Sequence, residues 1–222
     1  MITKAIIPAG GSSSRYKGNN KLLEILNDKP VIMRSIEAIK AIKDIQEIII
    51  PSSEELIPIL TELTNSMDNI KIVKGGKCRQ ESVYNALKEC GECDFVVIHD
   101  GARPLINPEI IKRCLSVAHF KKAAIVAVKA IDTIKKVDQD NKIIETPDRT
   151  YLWNVQTPQI FDYNLIFDAH KKLEGKNFSD DAGMLESLGE DVYVVEGEYT
   201  NFKITTKTDL TLAQLYLNEQ TK

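Results

Sequence analysis

Short, uninterrupted apolar runs recur along the chain, each followed by a longer stretch whose apolar residues fall at helical spacing. Residues 5–7, 47–50, 70–73, 95–98 and 123–128 read as strands, and their continuous rather than alternating apolar character suits a sheet covered on both faces. Between them, residues 31–42 set Ile32, Ile36, Ile39 and Ile42 on one helical face, and residues 54–63, 82–87 and 109–118 continue the pattern. Asn107-Pro108-Glu109 gives the last of these helices an N-cap, a proline at its first position and an acid beside the positive end of its dipole. Repeated strand–helix units predict an α/β fold with a doubly wound, mainly parallel, Rossmann-like sheet.

The alternation stops after Val128. Residues 131–137 and 142–146 read as two strands joined by the polar turn Asp138-Gln139-Asp140-Asn141. Two strands alone bury too little to stand by themselves, so this arm, over about residues 131–150, is expected to lean on the main domain or on another subunit. Helical patterns return at 163–173 and 180–188, then a strand at 192–195 and a helix at 208–216. With no internal repeat or long linker, the 222 residues are expected to form a single domain with a projecting β-hairpin arm.

Composition narrows the function classes. A net charge of −3 and a pI near 5.7 argue against a broad nucleic-acid surface. No run approaches the roughly 18 apolar residues of a membrane span. The first eight residues lack a basic region followed by a long apolar run, so no secretory signal is expected and a cytoplasmic location is. Cys90-Gly91-Glu92-Cys93 has the spacing of redox and zinc motifs, but it follows a helical pattern and no second paired spacing accompanies it; reduced, incidental thiols are the expectation.

Three polar clusters follow strands. The first, Pro8-Ala9-Gly10-Gly11-Ser12-Ser13-Ser14-Arg15 with Lys21 beyond, combines small residues, which let backbone amides approach an anion, with positive charge. It lacks both the Gly-Lys-Ser/Thr ending of a P-loop and the Gly-x-Gly-x-x-Gly dinucleotide fingerprint. The second is Gly75-Gly76-Lys77-Cys78-Arg79-Gln80-Glu81-Ser82, in which Ser82 reads equally as a helix N-cap. The third is His99-Asp100-Gly101-Ala102-Arg103-Pro104, where Asp100 suits a metal or a sugar hydroxyl, or a loop-ordering hydrogen bond, and His99 reads as a satisfied, semi-buried residue rather than a base. In a doubly wound sheet three such strand ends converge on one crevice.

These clusters, followed by Asp132-Thr133, Asp148-Arg149, Leu152-Trp153, Gln156-Thr157-Pro158-Gln159, Asp180-Asp181-Ala182 and Asn201-Phe202-Lys203-Ile204-Thr205, occur in the order and spacing of one family. Over nearly its full length the chain resembles the 2-C-methyl-D-erythritol 4-phosphate cytidylyltransferases. The resemblance implies a nucleotidyltransferase that moves CMP from CTP to a sugar-alcohol phosphate and releases pyrophosphate in isoprenoid precursor synthesis. It also implies magnesium and a homodimer with arms exchanged between subunits. By the same resemblance, Ala9, Gly10, Gly11, Gly76, Arg79, Ser82, Asp100 and Ala102 bind the nucleotide. Thr133, Arg149, Thr157 and Lys203 hold the phosphorylated polyol, and Arg103 supports the local structure.

The implied chemistry suits these residue types. A phosphomonoester is already anionic near neutral pH, so its oxygen needs no dedicated base. In-line positioning and charge compensation on the reacting phosphorus and departing pyrophosphate are the requirements. Arg15 and Lys21 are the candidate catalytic residues, with Lys17 as the alternative lysine. No metal ligand is certain; the cation is expected mainly on the nucleotide phosphates, with Asp100 nearby. Ribitol 5-phosphate is the alternative acceptor, and a silent nucleotide-binding protein the alternative of another class. Asp138-x-Asp140 reads as a solvated turn, Asp180-Asp181 as either metal ligands or the first-turn acids of a helix capped by Ser179, and Trp153 as a packing or interface residue.

Overall fold

A computed structural model describes residues 1–10, 16 and 20–220. Strand β1 (Thr3–Ile6) is followed by a small hairpin, β2 (Ile25–Leu26) and β3 (Lys29–Pro30), and by helix α1 (Val31–Lys40). Next come β4 (Ile45–Ser52), α2 (Ile57–Thr64), β5 (Ile70–Lys74), α3 (Arg79–Lys88), β6 (Phe95–Ile98), α4 (Pro108–Lys121) and β7 (Ala123–Lys129). The arm pairs β8 (Lys136–Val137) with β9 (Ile143–Glu145). A 3-10 turn, Arg149–Tyr151, leads from it into β10 (Trp153–Asp162), α5 (Tyr163–Lys172), α6 (Asp181–Ser187), β11 (Tyr193–Glu196) and α7 (Lys207–Gln220).

Seven strands form the main sheet in the order β11-β7-β10-β6-β1-β4-β5. All neighbours run parallel except β10, which is antiparallel to both β6 and β7. The single-residue alternation of a strand sorts the core into two layers. Ala5, Ile7, Ile48, Ile50 and Val97 face α1, α2 and α4. Their neighbours Ile6, Ile49, Val96 and Ile98 face α3, α5 and α6. Each fully buried isoleucine contributes roughly 1.5–3 kcal/mol over exposure, which fixes the register against slippage. This is the doubly wound arrangement expected from the apolar runs.

β10 is the strand that the apolar pattern misses. Asn154, Gln156, Thr157, Pro158 and Gln159 interrupt its hydrophobicity, yet residues 156–161 are buried. The polar side chains are satisfied internally: Gln156 donates to Glu198 O (2.9 Å), and Gln159 accepts from the amides of Asp181 (3.1 Å) and Ala182 (3.2 Å). The Asn107 cap on α4 is present, with its Oδ1 accepting from the Glu109 amide (3.0 Å). Two other cap readings change. Cys78, not Ser82, caps α3, and Asp180, not Ser179, caps α6 by accepting from the Gly183 amide (3.1 Å).

The arm stands clear of the main body. Its turn closes on Asp138, whose carboxylate accepts from the Asp140 (3.0 Å) and Lys142 (2.9 Å) amides, so the Asp-x-Asp sequence is a turn device. Ile131 is 62% exposed and Ile144 60% exposed, an apolar surface without an intrachain cover. The four cysteines are free thiols, and no cluster of three or more metal-ligating side chains occurs among the described residues. No helix among the described residues is long and apolar enough to cross a membrane.

Candidate active site

The strand order reverses at β1, from which the chain proceeds to β4 and β5 on one side and returns to β6 on the other. Ligands of open α/β sheets bind in the crevice beyond the strand ends at such a point. Here a cavity of ≈ 330 Å³ opens, walled by Pro8 and Gly10 after β1, Lys21 and Leu22, residues 77–79 and Ser82 at the start of α3, residues 100–102 after β6, and Lys203.

Each wall has a local cause. The Ala9 amide donates to Pro51 O (2.9 Å), continuing the parallel pairing of β1 with β4 and burying Ala9 beneath the cavity. The turn into α3 is drawn in by Ser82, whose hydroxyl accepts from the Gly76 amide (2.9 Å) and donates to Cys78 O (2.8 Å). Glu81 folds back to accept from the Lys77 amide (2.7 Å), which leaves no room at Gly76: an added Cβ would lie 2.3 Å from Glu81 Cγ. Thus Gly76 is required by close packing, not by an unusual backbone angle.

Asp100 is the electrostatic centre. Its Oδ1 accepts from Arg79 Nε (3.2 Å) and its Oδ2 from Lys203 Nζ (2.8 Å), with Arg103 Nε at 3.8 Å. Burial opposes the charge on Asp100, but Arg79, Lys203 and Arg103 outweigh it and hold the carboxyl well below the usual range. Arg79 also donates through Nη1 to Asp181 (2.7 Å), a fully buried carboxylate that approaches His170 Nε2 at 3.3 Å. Burial likewise opposes the Arg79 charge, and Asp181 and Asp100 together raise its pKa.

The Asp100 backbone is held from below. Antiparallel pairing sets Gln159 opposite Ile98, which brings Thr157 alongside Asp100. The Asp100 amide donates to Thr157 Oγ1 (3.0 Å), and that hydroxyl lies 3.1 Å from His99 Nδ1. His99 Nε2 lies 3.2 Å from Arg103 O, a carbonyl that can only accept. Therefore Nε2 carries a proton, and in the neutral ring Thr157 donates to Nδ1. Burial pushes the His99 pKa down to about 4, consistent with a structural histidine and not a base. Lys203 is positioned by its neighbours: Asn201 donates to Gln156 and Thr157 O (2.9 Å each), and the Ile204 amide donates to Ala102 O (2.8 Å).

Of the site residues expected from sequence, Gly10, Lys21, Arg79, Ser82, Asp100, Ala102 and Lys203 line one cavity. Ala9, Gly76 and Thr157 support it from behind. Thr133 and Arg149 lie on the exposed arm, where Arg149 Nη1 donates to Ile131 O (2.6 Å), and neither lines the cavity of its own chain. Gly11, Arg15 and Lys17 lie outside the described residues. The sequence reading missed Lys77 as a fourth cation of the wall and Asp181 as the second partner of Arg79. The adjacency of Lys77 to Gly76 was the available signal for the first. Asp181 gave none beyond its place in the Asp180-Asp181-Ala182 motif.

Chemically, Lys21, Lys77, Arg79 and Lys203 around one carboxylate make a pocket for a polyanion with hydroxyls beside it. The family model described as IspD, 2-C-methyl-D-erythritol 4-phosphate cytidylyltransferase, matches residues 3–219. A relative of that name from Caldanaerobacter subterraneus is 44% identical across 99% of this chain and 100% of its own. Another, from Bacillus cereus, is 39% identical across 98% of each. Among solved structures, 4-diphosphocytidyl-2C-methyl-D-erythritol synthase of Anaerococcus prevotii matches with a TM-score of 0.89 at 33% identity, covering 98% of both chains. The 2-C-methyl-D-erythritol 4-phosphate cytidylyltransferase of Thermus thermophilus matches at 0.81 and 28% identity over 98% of this chain and 100% of that one. This chain belongs to the 2-C-methyl-D-erythritol 4-phosphate cytidylyltransferase family.

Proposed function

We propose that this protein transfers the CMP group of CTP to 2-C-methyl-D-erythritol 4-phosphate, giving 4-diphosphocytidyl-2-C-methyl-D-erythritol and pyrophosphate, a step of non-mevalonate isoprenoid precursor synthesis. The observation that carries the proposal is the convergence of Lys21, Lys77, Arg79 and Lys203 about Asp100 at the sheet's switch point, within a chain of this family.

The acceptor's phosphate oxygen attacks the α-phosphorus of CTP. A new P–O bond forms while the bond to the β-phosphate oxygen breaks, and its electrons leave with pyrophosphate. Ala9, Gly10, Gly11, Gly76, Arg79 and Ser82 hold the nucleotide, with Asp100 and Ala102 beside its ribose and phosphates. Arg15 and Lys21 compensate the charge that grows on the phosphorus and the leaving group. Lys203 holds the acceptor phosphate, and Thr157, whose hydroxyl already bonds both Asp100 and His99, serves the acceptor site from behind Asp100.

Both Asp100 oxygens face cations, and it is the sole carboxylate on the described cavity wall, so the residues suit a magnesium ion brought by the nucleotide phosphates and not one caged by protein. Such an ion would neutralise phosphate charge, and Asp100 is the wall carboxylate that could help hold it. The exposed arm supports a homodimer in which Thr133 and Arg149 serve the partner's site, in a cytoplasmic enzyme. Phosphorus NMR of CTP, Mg²⁺ and methylerythritol phosphate with the protein tests the reaction. Coupled diphosphate resonances of a new nucleotide ester are expected; CTP and acceptor signals unchanged at long times would refute it.

A further inference from the structure

Asp181 is not among the described residues that line the cavity, yet it makes the shorter of the two bonds that fix Arg79. The guanidinium gives Nη1 to Asp181 (2.7 Å) and Nε to Asp100 (3.2 Å), and Nη2 has no hydrogen bond among the described residues. Among the described residues the Asp100 carboxylate is divided among Arg79, Lys203 and Arg103, whereas Asp181 answers to Arg79 and His170. Asp181 is itself fixed: it opens α6, its amide bonds Gln159, and it is 1% exposed. A planar fork anchored at two adjacent nitrogens keeps one orientation, which leaves its remaining edge for a ligand. Incoming phosphates compete with Asp100 for Arg79 and Lys203, but a buried Asp181 is out of their reach.

We propose that Asp181 is a positioning residue for nucleotide binding, acting through Arg79: it holds the guanidinium at the cavity while Asp100 yields its share to the nucleotide phosphates. This rests on the cytidylyltransferase reading above. Calorimetric titration with CTP and Mg²⁺ of the wild type, Asp181→Asn, Arg79→Gln and the double variant tests it, alongside thermal melts. Asp181→Asn is expected to weaken CTP binding about tenfold, within the range for residues sharing one ion-pair network. In the Arg79→Gln background the same change should weaken it less than twofold. In turnover, KM for CTP should rise while KM for the acceptor stays within twofold. Should Asp181→Asn not fold, Asp181→Glu, which keeps the charge but moves it by a methylene, is read in the same cycle. Folded variants that bind CTP within twofold of wild type, or losses that add in the double variant, would overturn the proposal. A wild type that binds no CTP would instead overturn the cytidylyltransferase reading on which it stands.

Discussion

Asp100 and His99 adjoin in sequence but are held in different charge states by their surroundings, one ionised and one neutral. Asp100 stays ionised because three cations outweigh its burial; His99 stays neutral because burial outweighs its polar contacts. For His99 the folded pKa of about 4 lies below the unfolded 6.5, so the unfolded chain binds the extra proton in between. Stability from burying the neutral ring is therefore fully present above about pH 6.5 and declines as pH falls toward 4. At a slope that rises toward 1.36 kcal/mol per unit, roughly 1.5 kcal/mol should be lost between pH 6.5 and 5, read as a falling denaturation midpoint. His99→Gln should flatten that slope; an unchanged slope would remove His99 as its source. At the cavity, Lys21→Ala is expected to melt near wild type yet lose on the order of 10²–10³ in turnover. A near-native rate would show that Lys21 is dispensable. The charge clusters were legible in sequence because they follow strands. The Arg79–Asp181 pair, 102 residues apart, was not, because only the tertiary packing of α3 and α6 against α5 brings the two together.

Among elements, the start of α3 shows how a glycine supports a site at ordinary backbone angles. The Glu81 side chain occupies the space a Gly76 Cβ would need. Gly76→Ala should therefore displace the Glu81–Lys77 cap, cost about 0.5–2 kcal/mol in stability as other lost caps do, and weaken CTP binding. Unchanged melting and affinity would mean that the turn relaxes freely. The parallel strands were readable from apolar runs alone. β10 was not, because its buried glutamines bond backbone in distant segments, a pairing visible only once residues 198–201 and 181–182 are in place. Pro158 also carries the usual sequence signal against an interior strand. The caps of α3 and α6, unlike that of α4, were missed for a similar reason: several residues before each helix can accept the same amide, and tertiary packing chooses among them.

At the scale of the whole molecule, one chain supplies a cavity but keeps two of its expected acceptor-binding residues on an arm outside it. If Arg149 serves a partner's cavity, Arg149→Ala and Lys203→Ala are each inactive alone but complementary. Subunit exchange between them yields heterodimers with one intact site, restoring about a quarter of the sites at random mixing. No recovery after verified exchange would mean that Arg149 does not serve the partner's cavity. If the arm carries the proposed dimer contact, a charge on it, as in Ile144→Asp, should shift sedimentation toward the monomer, and a dimer that persists would move the interface elsewhere.

Acceptor choice is the most direct test of the central claim. Pyrophosphate release should be measured with CTP and Mg²⁺, offering methylerythritol phosphate and ribitol 5-phosphate separately. Rapid release with methylerythritol phosphate and little with ribitol 5-phosphate is the expected result. Release with ribitol 5-phosphate alone would keep the mechanism and reassign the acceptor, while CTP binding without release from either would contradict an enzymatic role.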